Sequence, residues 1–142
     1  DGRRLEVKIP AGAKTGTRVR MRGEGGSGAA GGQAGDLYLT VEVLPDSRYE
    51  RKHDDLYVTV PVDLYTALLG GELRVPTLSG DVSLKIPAGS QNGQTFRLRG
   101  KGMPKLNKSG EYGDLYARLD VRLPTRLTHQ QRELFEQLRQ QG

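Results

Sequence analysis

The sequence predicts a mainly β protein with two tandem small β-sandwich modules, the first truncated. Each module has at most a short helix, and a C-terminal α-helix follows them. Three observations predict this fold class: apolar residues alternate with polar ones as in half-buried strands, a 21-residue segment occurs twice, and a helix-start signal stands near the C-terminus. The chain has 142 residues, including 20 glycines and no cysteine. It is therefore turn-rich and holds no disulfide.

The internal repeat defines the two modules. Residues 5–25 and 82–102 align without a gap at an offset of 77, and ten of the 21 positions are identical. Most identical residues are glycine, proline or strand residues, which indicates a shared backbone geometry. A Gly-Asp-Leu-Tyr sequence follows each copy, at residues 35–38 and 113–116. We call residues 5–25 the first copy and residues 82–102 the second copy.

Two-residue alternation predicts the strands in order along the chain. In and after the first copy, strands are expected at residues 5–9, 18–22 and 37–43. Between the copies, apolar residues at alternate positions of 56–62 predict another strand. A short helix is expected at 63–69, because Gly70-Gly71 stops it. A strand pair at 72–77 and 81–87 and a last strand at 115–121 complete the second module.

The two modules begin differently. The second has a strand, a helix and a hairpin before its copy, whereas the first starts almost directly at its copy. We therefore expect residue 1 to lie inside a domain of a longer protein, with Asp1-Gly2 at a hairpin tip and a strand edge left open. The expected domains are 1–48, the latter part of a first β-sandwich; 49–124, a second β-sandwich; and 125–142, a helix.

The C-terminal helix is predicted at residues 129–140. Thr128 caps it, with Gln131 at the capping-box spacing. Its apolar face consists only of Leu134, Phe135 and Leu138. Such a narrow face is suited to docking against the preceding module or against a second chain, and the residues alone leave both alternatives open.

Catalytic and cofactor signatures are missing from the sequence. It has no cysteine, no Gly-x-Ser-x-Gly sequence, and two histidines that are far apart. His53-Asp54-Asp55 is interpreted as a turn rather than a cation site. The G-x-G-x-x-G pattern at 23–28 is interpreted as a hairpin loop, since no helix follows it. We expect no enzymatic activity, no cofactor and no metal.

The charge and hydropathy of the sequence indicate which kinds of partner the chain can bind. The net charge is +5, and a basic stripe recurs in both copies, at Arg18, Arg20 and Arg22 and again at Arg97, Arg99 and Lys101. The stripe is either a solvated strand face or a set of contacts to phosphate or an acidic partner. No apolar run is long enough to span a bilayer and no signal core begins the chain. We expect no membrane association and a cytoplasmic location.

Several motifs together resemble one known family. They are Leu-Glu-Val-Lys-Ile-Pro-Ala-Gly at 5–12, Gly-Glu-Gly at 23–25, Gly-Asp-Leu-Tyr at 35–38, Leu-Leu-Gly-Gly-Glu at 68–72, Val-Pro-Thr-Leu at 75–78 and Arg-Leu-Arg-Gly-Lys-Gly at 97–102. The chain resembles, over nearly its whole length, the carboxy-terminal substrate-binding region of the DnaJ family of J-domain co-chaperones. That region has two tandem β-sandwich domains and a dimerisation helix.

The resemblance implies a chaperone function without catalysis. It implies that unfolded or partly folded polypeptides bind a hydrophobic groove on the first domain and, in the full-length protein, are delivered to the chaperone DnaK during protein folding and stress. Tyr49 matches the aromatic residue of the family's inter-domain segment, so the resemblance makes it the expected substrate contact, while the residues alone leave structural packing open as the alternative. Leu134, Phe135 and Leu138 are the expected contacts of a homodimer. A nucleic-acid-binding module that uses the basic stripe is the alternative hypothesis.

Overall fold

A computed structural model describes residues 4–25 and 35–142. In this part of the chain the elements are β1 (Arg18–Met21), β2 (Leu37–Thr40), β3 (Glu50–Lys52), β4 (Asp55–Asp63), α1 (Leu64–Leu69), β5 (Gly71–Thr77), β6 (Gly80–Ile86), β7 (Thr95–Leu98), β8 (Leu115–Arg122) and α2 (His129–Gln141). The predicted mainly β class with a C-terminal helix is confirmed. The proposed hairpin tip at Asp1-Gly2 and most of the predicted glycine-rich loop lie outside the described residues.

The strands of the described residues form three sheets. Strands β1 and β2 pair antiparallel, with Arg18 opposite Thr40 and Met21 opposite Leu37. A four-stranded sheet has the order β3-β4-β8-β7, and β5 pairs with β6. The short strand β3 was not predicted from the sequence. The turn that joins it to β4 needs a left-handed backbone, which His53 supplies with φ of 56°.

The chain divides into two compact units. The first consists of Asp1–Val58, Thr77–Ser79 and Arg97–Tyr116, and the second of Thr59–Pro76, Gly80–Phe96 and Ala117–Gly142. Strands β4, β7 and β8 each contribute residues to both units. The domain boundaries expected from the sequence remain a prediction.

The first unit has its buried residues at the start of β4 and β8. Leu56, Val58 and Leu115 are buried there, as the alternation in both strands predicted. A buried aliphatic side chain of this size contributes about 1.5–3 kcal/mol. Ala13, in the turn of the first copy, is also buried.

The second unit has a core centred on Val62, Ile86 and Leu119, against which Leu73, Leu84, Phe96 and Val121 pack. The predicted short helix is confirmed as α1. Its cap is Asp63, whose Oδ1 accepts the Thr66 N–H at 2.8 Å. It ends at Gly70, which has φ of 88°, a conformation that favours glycine.

The predicted strand at residues 5–9 is wrong. The described backbone there has no strand, and Leu5, Val7 and Ile9 are 37%, 36% and 57% exposed. The matching residues 82–86 lie in β6, which pairs with β5. Residues 5–9 have no such neighbour among the described strands. Alternation gives a segment the capacity to form a strand, but backbone hydrogen bonds to a neighbour are needed to stabilise it.

The C-terminal helix α2 agrees with its prediction to within one residue. The capping box is present: Thr128 Oγ1 accepts the Gln131 N–H at 3.1 Å, and Gln131 Oε1 accepts the Thr128 N–H at 2.9 Å. None of its residues is buried. The described residues contain no helix that is both long and apolar enough to cross a membrane.

Candidate functional site

An aspartate fixes the basic hairpin of the first copy. Arg20 on β1 donates from Nε to Asp36 Oδ2 at 2.7 Å, and the Gly23 N–H donates to Asp36 Oδ1 at 3.1 Å. The hydrogen bond from Arg20, followed by that from Gly23, lowers the pKa of Asp36. The Arg20 side chain therefore forms its hydrogen bonds within the β1–β2 hairpin.

The second copy repeats the same arrangement. Arg97 Nε donates to Asp114 Oδ2 at 2.8 Å, and the Gly100 N–H donates to Asp114 Oδ1 at 3.0 Å. The bonds from Gly100 and then Arg97 lower the pKa of Asp114. The two aspartates belong to the two Gly-Asp-Leu-Tyr sequences. The repeat of that sequence was the available signal for this role, which was not recognised from the sequence.

Three further arginines of the basic stripe have different surroundings. The Arg18 guanidinium lies 4.6 Å from the centre of the Tyr38 ring. Arg22 and Arg99 are exposed, and their charges add to the fields that lower the pKa values of the two hairpin aspartates. These contacts suit a solvated, charge-balanced strand face. They give no support to the nucleic-acid alternative.

Tyr49 lies between the first copy and β3. It is only 8% exposed and forms an isolated bridge with Asp46. The Arg48 guanidinium lies 5.3 Å from its ring centre, and Arg48 also pairs with Asp46 at 3.2 Å. The Tyr49 ring is thus largely buried in this structure, with a guanidinium beside it.

Arg51 is a structural residue that the sequence analysis missed. Its guanidinium donates to three main-chain carbonyls: from Nε to His53 at 2.8 Å, from Nη1 to Ala13 at 3.0 Å and from Nη2 to Gly12 at 3.1 Å. This contact ties the turn of the first copy to the β3–β4 turn. A lone arginine among many in sequence gives no signal for such a role.

Exposed apolar side chains cluster in sequence on two segments of the first unit. Residues 5–9 carry three of them, and residues 43–44 carry Val43 and Leu44, of which Leu44 is 75% exposed. Exposed apolar side chains that lie together in a segment can mark a binding site. These two segments are the candidate client-binding surface.

The predicted apolar face of α2 divides into two parts. Leu134 and Leu138 are 54% and 59% exposed, one helical turn apart. Phe135 is half-buried, and its ring lies 6.4 Å from that of Tyr65 on α1. Beside it is a shallow cavity of about 200 Å³, lined by Leu127, Arg132, Phe135, Glu136 and Arg139. Phe135 thus packs within the second unit, and the two leucines are available to a partner.

The hypothetical cation site at His53-Asp54-Asp55 is not assembled. Asp55 Oδ1 accepts the Asp114 N–H at 2.7 Å, and Asp54 lies 3.7 Å from the Lys14 ammonium. Within residues 4–25 and 35–142, no group of three or more histidine and carboxylate side chains could hold a metal ion.

Comparison with known proteins agrees with the repeat and the fold. The DnaJ C terminal domain family matches residues 1–124. The chain is 49% identical over 140 residues to a "Chaperone protein DnaJ" of Acidithiobacillus ferrooxidans, covering 99% of the chain and 37% of that protein. It is 50% identical over 134 residues to a "Chaperone protein DnaJ" of Leptothrix cholodnii, covering 94% of the chain and 34% of that protein.

The chain belongs to the DnaJ C terminal domain family. The resemblance inferred from its motifs is confirmed, and the matching region of the relatives is the C-terminal one. The chain spans about a third of the length of these relatives.

Proposed function

We propose that this chain is the non-catalytic client-binding and self-association region of a J-domain co-chaperone. Its clients are unfolded or partly folded polypeptides, and in the full-length protein they pass to a DnaK-type chaperone in the cytoplasm. Membership of the DnaJ C terminal domain family carries the proposal. Residues 1–48 and 49–124 are its two β-sandwich domains, and 125–142 is its dimerisation helix.

The client surface is proposed on the apolar segments at residues 5–9 and 43–44. Extended peptides bind such surfaces through main-chain hydrogen bonds and through apolar contacts at alternate side chains. The exposed Ile9 and Leu44 provide such contacts. Tyr49 is proposed as a further contact, which requires local opening of the segment that buries its ring.

Peptide binding tests the client site directly. The measurement is the fluorescence anisotropy of a labelled unfolded apolar peptide with this chain at physiological salt, with unlabelled duplex DNA as competitor. We expect saturable binding that DNA does not displace. The variant Ile9→Ser/Leu44→Ser should weaken it by about tenfold, whereas Tyr112→Ser, which also removes an exposed apolar surface residue, should not. Equal binding by both variants would contradict the site.

The dimer is proposed to form through Leu134 and Leu138 of α2. Two exposed leucines one turn apart form an apolar stripe that a second copy can cover isologously. A dimer with two client sites increases its avidity for a long polypeptide that spans both.

Sedimentation tests the dimer. We expect Leu134→Ala/Leu138→Ala to shift the mass towards the monomer, and Gln137→Ala on the same helix to leave it unchanged. The variant Phe135→Ala/Leu138→Ala should also dissociate, with some loss of stability because Phe135 packs near Tyr65. An unchanged mass for both double variants would contradict the proposal.

A further inference from the structure

The turn before β7 contains an asparagine followed by glycine. The chain has two asparagines, Asn92 followed by Gly93 and Asn107 followed by Lys108. Asn92 is exposed, and its Oδ1 accepts the Val121 N–H at 2.9 Å. Gly93 has φ of 83°, and its N–H donates to the Leu119 carbonyl at 2.9 Å. Both bonds tie the turn to β8.

The Arg118 side chain lies over this turn. A Cβ built on Gly93 would lie 3.6 Å from Arg118 Nη2 and 3.8 Å from Nε. The guanidinium therefore lies beside the open face of Gly93, where a side chain would otherwise project. A positive charge beside Gly93 favours the loss of a proton from the Gly93 amide nitrogen, and it stabilises an oxyanion that forms in the same turn.

We propose that Asn92–Gly93 is a self-modification site, at which Arg118 promotes the deamidation of Asn92. Hydroxide removes the Gly93 amide proton, and the nitrogen attacks Asn92 Cγ. The N–Cγ bond forms, the Cγ–Nδ2 bond breaks, and ammonia leaves with a proton from water. Water then opens the cyclic imide: cleavage of N–Cγ gives aspartate, and cleavage at the main-chain carbonyl gives isoaspartate. No oxidant or reductant is required.

The fold also controls the reaction, because the attacking nitrogen is engaged with Leu119. The Gly93–Leu119 hydrogen bond must open before the nitrogen can lose its proton and attack Cγ, whereas the Val121 N–H can continue to donate to Asn92 Oδ1. The reaction therefore proceeds through local opening of the turn.

The first copy provides a natural contrast. Its matching pair is Thr15-Gly16, and Thr15 Oγ1 accepts the Val43 N–H at 2.9 Å. Threonine holds the strand in the same way but has no amide to lose. No described atom lies within 4 Å of a Cβ built on Gly16. Only the second copy has the reactive amide together with the nearby cation.

The two products have opposite effects on the turn. Aspartate keeps an oxygen for the Val121 N–H and lowers the net charge by one. Isoaspartate adds a methylene to the main chain, so Gly93 no longer aligns with Leu119. The first product preserves the connection to β8, and the second loosens it.

Peptide mapping by mass spectrometry tests the proposal on the full chain at mildly alkaline pH. We expect residue 92 to gain about 1 Da, with both isomers separable by chromatography, while Asn107 stays intact. Arg118→Gln should slow the folded-state reaction about fivefold, and Arg118→Lys should restore much of the rate. In denaturant the wild type and Arg118→Gln should react equally fast. Asn92→Thr, the residue type of the first copy, should abolish the modification.

Two results would overturn the proposal. One is a folded chain in which Asn92 remains intact after the denatured chain has fully reacted. The other is an equal folded-state rate for the wild type and Arg118→Gln, with circular dichroism confirming that the variant is folded.

Discussion

The two copies of the repeat form nearly the same hairpin but have different neighbours. In the first copy, Gly16 N–H donates to the Val41 carbonyl at 2.8 Å, and in the second, Gly93 N–H donates to Leu119 at 2.9 Å. The hairpin bonds of Asp36 likewise have counterparts at Asp114. These contacts are local, so 21 related residues and the following Gly-Asp-Leu-Tyr are enough to specify them.

The two copies differ in the strands that pair next to them. Strand β8, which follows the second copy, pairs with β4, whereas β2, which follows the first copy, pairs only with β1 among the described strands. Tyr116 stacks on Tyr57 with ring centres 4.9 Å apart, whereas Tyr38, in the matching position, is 50% exposed. The repeated hairpin therefore stacks its tyrosine on another ring only where a further strand, β4, pairs with it.

The largest effect is expected at a pair of matched glycines. A Cβ on Gly113 would collide with the Asp54 carbonyl oxygen, whereas no described atom lies within 4 Å of a Cβ on Gly35. Backbone cannot move aside as a flexible side chain can, so Gly113→Ala should lower the free energy of unfolding by about 3 kcal/mol. Gly35→Ala should change it by less than about 0.5 kcal/mol. Urea unfolding measures both, and equal losses would show that the two sites are equivalent.

Elements that depend on neighbouring residues could be predicted from the sequence, whereas those that depend on distant residues could not. Alternation located β4, β8 and the β5–β6 hairpin, and the Gly70-Gly71 stop located α1, because each depends on a few neighbouring residues. Residues 5–9 alternate equally well but form no strand, since pairing depends on residues far along the chain. The motifs predicted the family, but they could not show that Tyr49 is buried or that Phe135 packs towards Tyr65.

A second difference concerns the Pro-Ala-Gly turns. In the second copy the main chain of α1 holds this turn: Gly89 and Ser90 N–H groups donate to Leu68 and Ala67 at 3.0 and 2.9 Å. In the first copy the Arg51 side chain holds it. One side-chain substitution should therefore release the first turn and leave the second intact.

Arg51→Lys tests this difference. Lysine keeps the charge but cannot reach three carbonyls at once. Amide hydrogen exchange at Ala13 and Thr17 should accelerate about tenfold, the equivalent of about 1.4 kcal/mol, while exchange at Ser90 stays unchanged. Arg48→Lys, which alters an exposed pair with Asp46, is the control. Unchanged exchange at Ala13 in Arg51→Lys would contradict the role of Arg51.

A smaller effect is expected at the matched tyrosines. Tyr116→Leu removes a stacked ring pair and should cost about 1 kcal/mol. Tyr38→Leu removes the contact with Arg18, which at an exposed site is worth about 0.5 kcal/mol. Thermal unfolding compares the two variants. If Tyr38→Leu cost as much as Tyr116→Leu, the Tyr38 ring would be packed as firmly as that of Tyr116.

The smallest difference between the two hairpins is expected in how much stability each loses at acidic pH. The pKa values of Asp36 and Asp114 are both lowered, so each ionised carboxylate stabilises the fold at a pH above its unfolded pKa of about 3.9. That contribution is lost as the pH falls through the lower folded pKa. The Asp114 side chain is 16% exposed and that of Asp36 is 24% exposed. Because solvent screens the Asp114 pair slightly less, its contribution should be the larger of the two.

Urea midpoints measured between about pH 2 and pH 6 separate the two aspartates. Asp114→Asn should be less stable than the wild type at neutral pH and should lose less stability on acidification. Asp36→Asn should show the same pattern with a smaller amplitude. An acid response that stays unchanged in both variants would mean that other carboxylates carry it; Asp63, whose pKa is lowered by its hydrogen bonds to Thr66, would then be the next to replace. A larger effect at Asp36 would instead mean that the first hairpin is protected from solvent as well as the second.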